Sequence, residues 1–156
     1  MKKTLILFFL GLTTFFACNR PEIIFQEEKI FANNIWHTDS ICEFECLISD
    51  TIHPYNIFMI LSNTKLYSYQ NLYMFVTINF PRGVVRVDTI DCFLADGKGK
   101  WYGKQKKDYY EQKLMYRRKI RFPYAGTYKF QLEQAMRKSP LEGIHAVGIT
   151  VETPKK

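Results

Sequence analysis

ICEFECLI, residues 41–48, alternates without a break. Cys42, Phe44, Cys46 and Ile48 fall on one side, and Glu43 and Glu45 on the other. A period of two is the pleat of a β-strand, and a helix would scatter the same residues around its axis. The stretch reads as a strand with one face in a core and one in water. It also separates its two thiols. Four residues of strand put the Cα atoms of Cys42 and Cys46 about 13 Å apart, too far for a disulfide. Cys92 either bridges to one of them in an oxidising compartment, or all three are small buried hydrophobes.

The same pattern spreads outward from this stretch. Upstream, Glu22 to Phe31 reads as an edge strand, and Asn33-Asn34 as a turn. Downstream, YNIFMILSN (55–63) is apolar on both faces, which marks a central strand. LYMFVTINF (72–80) is a further strand, ended by Pro81-Arg82-Gly83. VVRVDTIDCFLA (84–95) is one strand or two short ones. A Gly/Lys-rich loop follows from Asp96 to about Lys107. YYEQKLMYRRKIRF, TYKFQLE and IHAVGITVE complete the set. These are about eight short strands with Gly, Pro, Asn or Asp between them. Aromatic residues, 16% of the chain, favour the same class. The expected fold is mainly β, an antiparallel β-sandwich of jelly-roll or Greek-key type. One segment departs from the pattern. Glu133-Gln134-Ala135-Met136-Arg137 favours helix, and Pro140 and Gly143 follow it. The expectation is a short helical turn that reorients the chain between two strands, with Ala135 and Met136 plugging the core.

The N-terminus is of another kind. Lys2 and Lys3 precede an uncharged apolar run from Thr4 to Phe16. That run is too short to span a bilayer, which takes about 20 residues, and fits the apolar part of a signal peptide. Ala17-Cys18 then resembles a bacterial lipobox, although Phe15 and Phe16 stand where Leu and a small residue are usual. The alternatives are a secreted chain cleaved nearby or an uncleaved anchor. On the lipobox reading, residues 1–17 are the signal peptide, Cys18 carries the lipid, 18–21 are a short tether, and 22–153 form a single β-sandwich domain. The expected location is the cell envelope, with the membrane as first partner. The formal net charge of +7 loses two with Lys2 and Lys3. It does not imply nucleic acid, which an exported protein rarely meets.

Little in the sequence carries chemistry. His37, His53 and His145 have no second ligand at metal spacing, and no H-E-x-x-H, C-x-x-C or G-x-S-x-G is present. No catalytic residue, metal or cofactor is expected. DGKGKWYGKQKK (96–107) is not a phosphate loop. The glycine spacing is wrong, and Gln105 stands where Ser or Thr is needed. It reads as a hairpin loop with lysines in solvent. From Lys98 to Arg121 the chain is strongly basic, opposed only by Asp108 and Glu111. Trp101, Tyr102, Tyr109, Tyr110 and Tyr116 are interleaved with the charges. Such a surface suits an acidic partner protein, anionic headgroups or, through its aromatics, a glycan.

The C-terminal half resembles the gliding-motility lipoprotein GldH family. The resemblance rests on Asp96, Gly99, Trp101 and Gly103, then Phe122, Pro123, Gly126, Tyr128 and Phe130. The run Glu133 to Arg137, with Gly143, Ile144, Val147 and Gly148, completes it. It implies a membrane-anchored, non-enzymatic component of the envelope machinery for gliding. The acyl chains would hold the sandwich at the membrane while an exposed face docks other envelope or gliding proteins. The candidate surface is Trp101, Tyr102 and Lys104 with Glu133 and Arg137. The alternative expectation is a glycan- or ligand-binding sandwich.

Overall fold

A computed structural model describes residues 20–155 of the chain. The signal segment and Cys18 lie outside the described residues. Eleven strands follow one another: β1 (Ile23–Ile30), β2 (Ile35–Trp36), β3 (Cys42–Ile48), β4 (Tyr55–Asn63), β5 (Asn71–Asn79), β6 (Val85–Phe93), β7 (Lys104–Gln105), β8 (Tyr110–Ile120), β9 (Gly126–Gln134), β10 (Leu141–Glu142) and β11 (Ile144–Glu152). Three of these are two-residue pieces, so eight long strands build the fold. The one helical element among the described residues is a 3₁₀ turn over Ala32–Asn34.

All pairs are antiparallel. One sheet runs β1-β11-β4-β8-β7 and the other β3-β9-β5-β6, with β10 and β2 forming a small ribbon at one end. Of the two sandwich types open to the sequence, this order is the jelly roll: successive long strands cross between sheets except at the β5–β6 hairpin, and the last strand returns beside the first. β3 buries Cys42, Phe44, Cys46 and Ile48 and exposes Glu43, Glu45 and Leu47. Leu72, Met74, Val76 and Ile78 of β5 and Tyr128, Phe130 and Leu132 of β9 meet them between the sheets. β4 lies between β11 and β8, as its two apolar faces require.

Two open alternatives are decided and one expectation changes. VRVDTIDCF is a single strand, because it pairs without interruption along β5 from Asn71↔Phe93 to Asn79↔Val85. The thiols of Cys42, Cys46 and Cys92 are free and buried, with no bridge between them. The run from Glu133 to Arg137 forms no helical turn. Glu133 and Gln134 finish β9, opposite Phe75 and Met74. Two backbone bonds of the sheet outcompete a local preference worth only tenths of a kcal/mol per residue, roughly.

The topology sorts the connections into two ends. The short ones, 49–54, 80–84 and 121–125, lie where β1 begins and β11 finishes, marked by Thr153 N–H donating to Glu22 O at 2.9 Å. The long ones, 31–41, 64–70, 94–109 and 135–143, meet at the other end. There Thr64 N–H donates to Gly143 O and Gly143 N–H to Asn34 O, both at 2.8 Å.

Candidate functional site

Convergence of the four long connections brings together segments that are far apart in the chain. Trp101 is half-buried, bridged to Ala95 and packed between Tyr67 and Tyr110, with ring centroids 6.5 and 6.0 Å away. Tyr102 beside it is exposed. Asp96 shapes the preceding turn, its Oδ1 accepting from Lys98 N–H and Lys100 N–H at 2.9 Å each. Tyr67 also contacts Tyr69 edge-on at 5.6 Å. Tyr69 in turn lines a groove of about 320 Å³ with Tyr73, Ala135, Met136, Arg137 and Lys138. Trp101 and Arg137, 36 positions apart in the sequence, therefore stand at the same end, linked through tyrosines. Lys104 lies on β7 at the edge of the five-stranded sheet, and Glu133 lies on β9 in the other sheet. No hydrogen bond or ion pair among the described residues joins these two.

A residue not singled out from sequence organises this end. Gln134 is buried, and both ends of its amide are used. Nε2 donates to Thr38 Oγ1 at 2.9 Å and to Lys138 O at 3.4 Å, and Oε1 accepts from Met136 N–H at 2.9 Å. One side chain thus ties the first long connection to the last. Ala135 N–H continues the sheet to Tyr73 O at 2.8 Å. Met136 is half-buried against the core, as expected of a plug. Gly143 has φ +89°, and a Cβ there would lie 2.4 Å from Tyr67 N. Its requirement for glycine is steric and structural.

The groove opens onto an apolar stripe. Along the outer face of β5 and β6, Tyr73, Phe75, Val85, Val87 and Phe93 are between 42% and 61% exposed. β6 is an edge strand, paired only with β5. Edge strands are commonly guarded by charged residues or Pro; β6 carries Arg86, Asp88 and Asp91, and Asp88 points inward to Tyr116 and Arg117 of β8. Each of the exposed apolar residues stands opposite a polar residue of the partner strand, Asp91, Thr89, Asn79, Thr77 and Asn71 in turn, and exposed aromatic and aliphatic side chains set among polar ones suit a protein interface. The sequence signal of this face is the run of apolar residues on both faces of LYMFV, where a half-buried strand would have alternated cleanly with polar residues.

The buried thiols are unsuited to nucleophilic work. Burial pushes Cys42 and Cys46 up to about 11 and Cys92 up to about 12, so each is un-ionised near neutrality. His145 stacks on Tyr109 at 4.2 Å and its Nδ1 lies 2.7 Å from Asn34 Oδ1. His53 pairs with Asp50 at 2.5 Å on an exposed turn at the opposite end. Among the described residues no three His, Cys, Asp or Glu side chains are placed to hold a metal. With Trp101 packed between Tyr67 and Tyr110, Tyr102 is the more exposed aromatic of the two in this loop.

The model of a family described as GldH lipoprotein matches residues 23–151. A gliding motility lipoprotein GldH homolog of Christiangramia forsetii is 32% identical over 96% of this chain and 94% of its own length. The gliding motility lipoprotein GldH of Flavobacterium johnsoniae is 31% identical over 88% of each chain. A solved structure, the dimeric latent PorU of Porphyromonas gingivalis, covers 85% of this chain with 13% of its own at 6% identity and a TM-score of 0.40. A likeness that weak carries no argument.

Proposed function

The chain belongs to the GldH lipoprotein family, and on that premise we propose that it is a non-enzymatic component of the gliding machinery. It acts by holding a partner protein at the membrane. Cys18 carries the lipid, residues 18–21 are the tether, and the sandwich over 22–153 is the working part. The observation that supports the docking role is the set of exposed aromatic and aliphatic side chains on the outer face of β5 and β6, which meets the groove at Met136 and Arg137 through Tyr73. Tyr102, Lys104 and Glu133 flank this region as lesser contacts. A partner that covers the stripe would bury aromatic surface of the kind that dominates protein interfaces.

The test is complementation of a deletion strain. The unaltered gene restores spreading on agar in a gliding host. Phe75→Glu with Phe93→Glu folds, reaches the membrane and fails to restore it. Cys18→Ala lets a high-salt wash strip the protein from the membrane fraction. Full motility of the double glutamate variant at normal abundance would reject the stripe as the docking surface. A Cys18→Ala protein that resists a high-salt wash, which removes any electrostatic contact of the folded domain, would reject the anchor.

A further inference from the structure

We infer that the end of the sandwich where the termini meet seats directly on the surface of a phospholipid bilayer with anionic headgroups. The inference rests on the lipid anchor at Cys18 and goes beyond it, because it assigns a second, non-covalent membrane contact to the folded domain. Glu22 is four residue steps from Cys18, a reach of at most about 14 Å. Glu22 is hydrogen-bonded to Thr153 at the short-connection end. That end therefore cannot move far from the membrane, and the long connections point away from it.

The surface at that end suits such a neighbour. Ile52 in the connection 49–54 and Val84 at the base of 80–84 are 75% and 53% exposed, and 121–125 touches both connections through Arg121 and Tyr124. Arg20, Arg82, Arg118, Lys119 and Arg121 are all exposed around them. Arg121 Nε donates to Ile52 O at 2.8 Å, and Arg82 lies over the Tyr124 ring at 4.1 Å, so both cations are held in place. The opposing carboxylates are few: Glu22 is exposed, Asp50 is tied to His53, and Glu45, beside Phe80 and Pro81, is paired with Lys129.

The backbone is shaped to present two of these cations together. Tyr55 pairs with Ile120 and Ile57 with Arg117, so Arg118 and Lys119 stand opposite Asn56 alone. This is a β-bulge, and Lys119 sits in it at φ +49°, its N–H donating to Asn56 Oδ1 at 2.9 Å. Regular pleating would turn one of two successive side chains inward. The bulge turns both outward, at the cost of a left-handed conformation that non-glycine residues avoid. Cations clustered beside exposed aliphatic tips are what an anionic lipid surface binds, with the apolar residues entering the headgroup layer.

The experiment uses residues 18–156 carrying Cys18→Ala, which contain the whole core and no acyl chain. It is sedimented with vesicles of phosphatidylcholine alone or with about 30% phosphatidylglycerol. Binding is expected to the mixed vesicles and not to phosphatidylcholine, and it weakens as salt rises. Arg118→Glu with Lys119→Glu reduces it by about tenfold or more, while Lys98→Glu with Lys100→Glu at the opposite end leaves it unchanged. Circular dichroism shows whether the bulge variant is folded. A separate Ile52→Trp variant reports contact independently, by a blue shift of its emission on mixed vesicles. Equal binding to both vesicles, no binding, an unshifted tryptophan, or an equal loss from the Lys98/Lys100 pair each overturns the inference. None of these outcomes touches the motility test, so the docking role stands or falls separately.

Discussion

At the end where the termini meet, connections are five or six residues long and are closed by side-chain packing. At the opposite end, four longer connections are joined to one another by backbone bonds, the β2–β10 ribbon among them, and by the side chain of Gln134. The first end is built around Tyr128, which is fully buried; its hydroxyl donates to Tyr124 O at 2.9 Å and accepts from Tyr124 N–H at 3.2 Å. Phe122 and Phe80 pack on its ring, and Gly126, at φ +132°, lets Pro81 approach where a Cβ would come within 2.9 Å. The second end has Gln134, Gly143 and the stacked tyrosines. The difference explains why the family's motif residues fall at both ends without marking two active sites. F-P-x-x-G-x-Y closes one end of the sandwich, and the run from Glu133 to Arg137 with Gly143 fastens the loops at the other. The surface available for recognition is what these residues hold in position.

The sharpest way to break this comparison is to remove the lock at the short end. Tyr128→Ala is expected to cost about 3–5 kcal/mol, read from urea unfolding. Tyr128→Phe, which keeps the ring, should cost only about 1 kcal/mol. Next comes the matching change at the long end. Gly143→Ala places a Cβ against the Tyr67 backbone in a left-handed conformation and should cost about 2–5 kcal/mol. A cost below about 1 kcal/mol would mean that the loops slide apart freely. Gln134→Leu strands Met136 N–H and the Thr38 hydroxyl and is expected to cost about 1–3 kcal/mol. Its effect should be local, visible as faster amide exchange over 135–143 before any change at 121–128.

Midway between the ends, Asp88 joins the two sheets, accepting from Tyr116 Oη and, at 2.6 Å, from Arg117. Burial raises its pKa, but these two hydrogen bonds and the guanidinium charge outweigh burial and hold it below the usual carboxylate value. A depressed folded pKa adds stability above the unfolded value and loses it as pH falls below about 4. Asp88→Asn should therefore narrow the stability difference between neutral and acid solution; an undiminished difference would remove Asp88 from the account. The smallest effects belong to the candidate surface residues. Lys104→Ala and Arg137→Ala should each shift stability by less than about 0.5 kcal/mol, so any motility defect they cause reports lost contact.

The strands were legible because each carries its own evidence. Cys42 to Ile48 alternates, and Tyr55 to Asn63 does not, and those two patterns place one strand over the core and the other in the middle of a sheet. Glu133 to Arg137 misled for the opposite reason: its residues prefer helix locally, and only the partner strand, 60 positions earlier in the chain, keeps them extended. Trp101 looked like a recognition residue, but its packing depends on Tyr67, which no local pattern couples to it. The apolar stripe was hidden because its members lie on two strands whose neighbourhood is set by the turn at 80–84 and by the sandwich as a whole.

The pairing of β1 with β11 joins the first strand to the last, from Ile23↔Glu152 to Ile30↔Ala146, and β11 also supplies the inner edge of β4. The five-stranded sheet therefore cannot assemble in the order of synthesis. Until residues 144–152 have emerged, β1 has no partner and β4 has only β8. Contacts this distant in sequence form slowly. A chain cut short before Ile144 would expose two strand edges at once, which makes it a substrate for aggregation or proteolysis and gives the cell a means of discarding incomplete copies.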